Sequence, residues 1–212
     1  MSRIWPWESS AVSWWPTTLE HGDLVLRPLH WSDATAWADL RRRNQAWLRP
    51  WDATDPDGGT RPTFRQMVSS LNRQARAGHC LPWAIAVRTG AADEPVLAGQ
   101  LTVSTITWGA ARSCSIGYWI DAGLAGRGLV PQAVALAGDF VFDALRLHRV
   151  EINIRPENAA SLRVVEKLRF RDEGLRERFL HIDGQWADHR TFALTREDMS
   201  GSFLERLQST TA

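Results

Sequence analysis

The residues with the most chemical potential for their number stand at 126–128. Gly126-Arg127-Gly128 follows the strand-like run Gly117-Tyr118-Trp119-Ile120-Asp121 and precedes a helical pattern that starts near Leu129. A strand, a glycine turn and a helix start together present several backbone N–H groups to one anion, and the helix dipole adds partial positive charge. The amides concerned run from Ala125 and Gly126 to Leu129 and Val130, and Arg127 can add a charge-assisted contact. No Gly-Lys-Ser/Thr follows, so this is not a Walker turn, and the spacing is not that of a G-x-G-x-x-G dinucleotide loop. Taken alone, these residues are equally compatible with a turn that merely connects two elements. A second constellation, Arg155-Pro156-Glu157-Asn158-Ala159-Ala160-Ser161, leads from a strand into a helix. Asn158 is a strong N-cap there, and Ser161 suits the first turn.

Composition narrows the setting. The chain has 212 residues, enough for one domain with a full core. Its formal net charge of +1 gives no global electrostatic case for a nucleic-acid or membrane partner. Cys80 and Cys114 form no C-x-x-C and have no histidine nearby at ligand spacing, so no metal site is expected. No stretch reaches the apolar length of a membrane span and the N-terminus lacks a signal-peptide core, which makes the cytoplasm the expected compartment. Eight of the 12 tryptophans fall at or before residue 51: Trp5, Trp7, Trp14, Trp15, Trp31, Trp37, Trp47 and Trp51. Such a cluster can be core, a recognition surface or a subunit contact, which keeps a homodimer in view.

The elements that must position these residues can be read from periodicity. Residues 1–20 read as an irregular, tryptophan-rich arm. Leu24 to Leu29 forms a first strand, Asp33 offers an N-cap for a helix through about Leu48, and Thr63 caps a second helix closing near Gly78. The Asp-, Gly- and Pro-rich segment 52–62 between them is a loop. Three strands follow over 83–88, 96–108 and 113–120. The helix beginning near Leu129 carries apolar Val130, Ala133, Val134, Ala137, Phe140, Val141, Ala144 and Leu145 at i, i+3, i+4, i+7 spacing, with Pro131 tolerated in its first turn. Residues 148–155 alternate cleanly as a half-buried strand, with Glu151 and Asn153 on the polar side. A helix over 159–168, strands over 174–182 and 186–195 joined at Asp183-Gly184, and a short terminal helix and tail complete the chain. Hairpins mixed with crossover helices predict a mixed α/β fold, one sheet flanked by helices.

The two constellations, followed by Glu166-Lys167-Leu168-Arg169-Phe170, resemble the GNAT superfamily of acetyltransferases. In that family an acetyl-CoA pyrophosphate turn, Q/R-x-x-G-x-G/A, precedes Asn-x-x-Ser and a Lys-x-Gly-Phe helix end. Leu26-Arg27-Pro28-Leu29, Leu48-Arg49-Pro50-Trp51, Gly117-Tyr118-Trp119-Ile120, His148-Arg149-Val150-Glu151 and Asp183-Gly184-Gln185-Trp186-Ala187-Asp188-His189 make the chain similar to the RimJ/RimL-like branch, especially to actinobacterial ribosomal-protein-alanine acetyltransferases. The likeness runs from about residue 20 to 198. It implies a GNAT domain over 21–198, between the arm at 1–20 and a tail at 199–212. Its single mixed sheet should splay between the strand ending at Tyr118 to Ile120 and the strand of Val150 to Ile154. Departures are Ala125 where the family has Arg or Gln, Val130 for Gly or Ala, Pro131 in the helix start, and Arg169 for the glycine before Phe170.

The resemblance further implies acetyl-CoA as co-substrate, with Trp119 and Ile120 beside the pantetheine, Asn158 bonding it and Ser161 near the thioester sulfur. Ser161 is the candidate donor of the thiolate proton. A backbone N–H near Trp119 or Ile120 is the candidate oxyanion contact. An α-amine titrates near pKa ~8, so a modest base suffices. Glu151 leads the candidates for it, ahead of Asp52, Asp188 and His189. The expected acceptor is a protein N-terminus, a ribosomal protein's above all, with Trp31, Trp47, Trp51 and Trp83 as candidate cleft aromatics. Acetylation of a small amine and a non-catalytic acyl-CoA-binding module are the alternatives.

Overall fold

The computed structural model describes residues 14–59, 62–90 and 93–211; Trp5 and Trp7 of the expected arm lie outside them. Among the described residues the first elements are a hairpin, β1 (Leu19–His21) and β2 (Leu24–Pro28), then α1 (Ala34–Arg43), α2 (Gln45–Leu48) and α3 (Phe64–Arg76). The sheet continues through β3 (Leu81–Val87), β4 (Val96–Thr107) and β5 (Ser113–Ile120). α4 (Leu129–Asp143) crosses to β6 (Arg149–Ile154), and α5 (Ala159–Lys167) leads to the hairpin β7 (Arg171–Ile182) and β8 (Gln185–Thr195); α6 (Phe203–Thr211) closes the described chain.

One mixed sheet of eight strands has the order β1-β2-β3-β4-β5-β6-β8-β7. Its neighbours are antiparallel except β5 and β6, which are parallel and paired only at Ser113↔Arg149, Cys114↔Val150 and Ser115↔Glu151. Beyond Ser115 the two strands run on without pairing, to Ile120 and Ile154, so the sheet splays where the sequence predicts. The main core lies between the sheet and α4–α6. α4 is apolar nearly all round and buries Ala133, Val134, Ala137 and Val141, as a helix enclosed on several sides must. α6 seats Phe203 against Gly138, where an added Cβ would stand 2.8 Å from the ring. A smaller cluster of Leu29, Leu40, Val68, Ala84 and Leu97 packs α1 and α3 on the opposite face.

Three local expectations are corrected. β1 is an additional strand, with Gly22 at φ +55 in its turn. Asp33 does not cap α1 with its side chain; its carboxylate is held one turn earlier, by His30 N at 2.8 Å and both terminal Arg27 nitrogens at 2.8 and 2.9 Å. The helix expected through Leu48 breaks at Asn44. There the amide side chain adds to the backbone pairing, donating to Leu40 O at 2.9 Å beside the Asn44 N–H and accepting from Ala122 N at 2.9 Å. The Thr63 cap of α3 is present and closes a capping box with Gln66.

Candidate active site

The alternation of β5 divides the site into two faces. Trp119 points toward α1, edge-on to Trp37 at 6.4 Å, with the Arg41 guanidinium 5.1 Å above its ring. Tyr118 points the other way and joins the core beneath α4 and α5. Where β5 leaves β6, a cavity of about 470 Å³ opens. β4 contributes Gln100, Thr102 and Ser104 to its wall, β5 contributes Gly117 to Ile120, and α5 contributes Ser161 and Val164.

The glycine turn lines the same cavity. Gly126 and Gly128 stand at φ +80 and +79, whereas Arg127 between them does not have positive φ. Alternation of left-handed and ordinary conformations curves successive amides into an anion-binding concavity, and only glycine takes the left-handed positions without strain. Gly128 is the N-cap residue of α4, so the Leu129 and Val130 amides have no carbonyl within the helix to reach. Those groups suit a diphosphate, and the loss of an amide at Pro131 leaves the concavity in place.

The turn is braced from below by α1. Asn44 is buried and ties Leu40 O to Ala122 N, while Arg43 pairs with the Asp121 carboxylate. Burial tends to raise the Asp121 pKa, but hydrogen bonds from Arg43, Asn44 and the Gly123 amide outweigh it and hold the group below its ordinary value. Asn44→Ala removes both ties and leaves a buried amide without its acceptor, a cost of about 1–3 kcal/mol. The melting temperature should fall by about 2–10 °C and the CoA Kd should rise several-fold. An unchanged Kd in the folded variant would show that the turn holds its shape without Asn44.

Of the residues singled out by sequence, Trp119, Ile120, Ala125, Gly126, Gly128, Leu129, Val130, Asn158 and Ser161 all line this cavity. Asn158 also caps α5, its side-chain oxygen accepting from Ser161 N at 3.1 Å. Arg127 lines an adjoining cavity of about 600 Å³ instead, together with His21, Lys167 and Gln208. Glu151 does not line the cleft. It sits in the paired part of the sheet opposite Ser115, and its carboxylate is taken up by Arg149 at 2.8 Å and Arg176 at 3.6 Å. Asp188 accepts from Arg178 N at 2.7 Å, and burial holds the His189 imidazole below its ordinary pKa. Asp52 is the carboxylate on the cavity wall, beside Trp47 and Trp51 and paired with Arg41. Trp83 is fully buried with its indole N–H on Thr17 O, and exposed Trp31 lies under Arg65, so neither lines the cavity.

Sequence reasoning assigned no role to Tyr118 or Asn44. Period-two alternation places Tyr118 opposite Trp119 and could have flagged it; the Asn44 contact crosses 78 residues and carries no local signal. Among the described residues, no helix is long and apolar enough to cross a membrane, and no group of three or more His, Cys, Asp or Glu side chains could hold a metal ion.

This splayed sheet with its glycine turn is the architecture of an acetyltransferase, and the model of the acetyltransferase (GNAT) domain family matches residues 23–171. The chain belongs to the GNAT family and is an N-acetyltransferase. Within it the chain is similar to Mycobacterium smegmatis RimJ, solved in complex with CoA-disulfide, at 35% identity and a TM-score of 0.84 over 93% of this chain and 96% of that one. It is 29% identical to the Escherichia coli [ribosomal protein uS5]-alanine N-acetyltransferase over 82% of this chain and 89% of the relative. The RimL ribosomal L7/L12 α-N-protein acetyltransferase in complex with CoA shares the fold at 22% identity, with a TM-score of 0.72 over 86% of this chain and 100% of that one.

Proposed function

We propose that the chain transfers the acetyl group of acetyl-CoA to the N-terminal α-amine of a protein, a ribosomal protein by analogy with its relatives, in the cytoplasm where ribosomes work. The observation that carries this reading is one cavity lined both by an anion-binding turn and by an aromatic, acidic wall. The wall is formed by Trp47, Trp51 and Asp52. The turn suits the cofactor diphosphate, and the carboxylate and indole rings suit an ammonium group before it loses its proton.

Atoms balance simply. The acceptor nitrogen bonds to the acetyl carbon, and the carbon–sulfur bond breaks with its electron pair going to sulfur. Sulfur takes the Ser161 hydroxyl proton, and the proton lost by nitrogen restores the serine through water. Backbone N–H groups at Trp119 or Ile120 serve the carbonyl oxygen. Of the carboxylates considered as a base, Asp52 is the one at the cavity wall.

Thiol release from acetyl-CoA tests the reading. Alanine-initiated peptides with the sequence of a ribosomal protein N-terminus should accelerate it, and the same peptides with a blocked α-amine should not. Acceleration by small amines alone would overturn the protein acceptor. Binding of CoA with no thiol release under any acceptor would overturn catalysis.

A further inference from the structure

We infer that Tyr118 is a positioning residue for acetyl transfer, its hydroxyl donating a hydrogen bond to Ser161 Oγ so that the serine proton is directed at the departing sulfur. The inference rests on the reading of Ser161 given above. Its own observation is the state of the phenol. Tyr118 Oη is sealed from solvent and makes no hydrogen bond of normal geometry. Leaving a buried hydroxyl unsatisfied costs about 1–3 kcal/mol, and a phenylalanine would fill the same core position without that cost. Ser161 is the side chain whose hydroxyl bears on the phenol. Both residues line the same cavity, one from β5 and one from the first turn of α5. Catalytic hydrogen bonds are commonly loose in unliganded enzymes and tighten when the reactants are in place.

The direction of the bond follows from what each group has to spare. The Ser161 amide is committed to Asn158 Oδ1 at 3.1 Å, so only its hydroxyl is free to respond to a neighbour. A serine hydroxyl has one proton and two lone pairs. If it donated to the tyrosine, its proton would point into the core and be lost to sulfur. If it accepts from the tyrosine, its O–H is released toward the cavity. Burial pushes the phenol pKa up and outweighs the lowering contributed by Ser161, which keeps the tyrosine protonated. It therefore stays a donor throughout the reaction and does not become the proton source itself.

Tyr118→Phe preserves the ring and removes the hydroxyl. The readouts are thiol release from acetyl-CoA, with an alanine-initiated peptide and with water alone as acceptor, together with CoA Kd and melting temperature. One neutral hydrogen bond is worth about 0.5–1.5 kcal/mol, so kcat should fall about three- to tenfold while Kd holds and the melting temperature stays level or rises. The deciding measurement is the double-mutant cycle with Ser161→Ala: in that background Tyr118→Phe should change kcat less than twofold. Equal losses in both backgrounds would make the phenol act independently of Ser161 and overturn the inference. A slow Ser161→Ala with a normal Tyr118→Phe overturns the tyrosine alone. A near-wild-type Ser161→Ala removes the serine reading and the inference with it.

Discussion

Ser161→Ala should lower kcat by about 10²–10⁴-fold, the usual contribution of a positioned general acid, while the CoA Kd shifts by no more than about twofold. The geometry makes the variant clean. What holds the helix start together is the bond from Ser161 N to Asn158 Oδ1 at 3.1 Å, and alanine keeps that amide. Alanine is also the better helix former, so α5 should persist. If the serine were only a first-turn helper, the cost would be about 1 kcal/mol or less in stability, with nearly normal turnover. Melting temperature, CoA affinity and steady-state rate measured together on one variant separate the two roles. A normal kcat would leave solvent as the source of the thiolate proton.

Gly128→Val should raise the Kd for CoA about 10–100-fold, equivalent to about 1.4–2.8 kcal/mol. From sequence the ground for this is crowding of the diphosphate by a side chain. The structure adds a second ground. Gly128 stands at φ +79, a region a β-branched residue occupies only under strain of order 1–3 kcal/mol. Within the protein an added Cβ meets nothing closer than Gln132 Nε2 at 3.7 Å, so the fold tolerates the atom. The turn must therefore relax toward negative φ, and its amides lose their common focus. Calorimetric titration with CoA, alongside circular dichroism to confirm folding, reads this directly. An unchanged Kd in a folded protein would remove the turn from cofactor binding.

Most of the sheet was legible in the sequence because its strands carry strong period-two or continuous apolar patterns and its turns carry glycine or Asp-Gly. The splay followed from the likeness to a family, since no local property of Tyr118 or Ile154 says that the two strands part. What escaped depended on distant partners. Asn44 interrupts a good helical pattern because its amide is recruited by Ala122, which no window of local periodicity contains. Glu151 has the alternation of a cleft residue, yet register puts it opposite Ser115 in the paired part of the sheet, where Arg149 and Arg176 engage it. Asp52 was legible as a lesser candidate for the base, from its place just after Arg49-Pro50-Trp51 in a loop. Its place on the cavity wall comes from the docking of that loop on the β7–β8 turn, where Asp183 N donates to Asp52 O at 3.1 Å and Thr54 N to His181 O at 2.9 Å.

The three residue pairs that join β5 to β6 also govern what it takes to admit a ligand. Continued in the same register, the ladder would add Ile116 with Ile152, Gly117 with Asn153 and Tyr118 with Ile154. A closed sheet would have to break those bonds before a pantetheine chain could lie between the strands, each at a net cost of about 0.5–1.5 kcal/mol. Here the seam is already parted, and α4, packed across both sides of it, carries the mechanical continuity that the ladder gives up. The slot thus belongs to the resting architecture, and cargo can enter and leave along it without unzipping the sheet on every turnover.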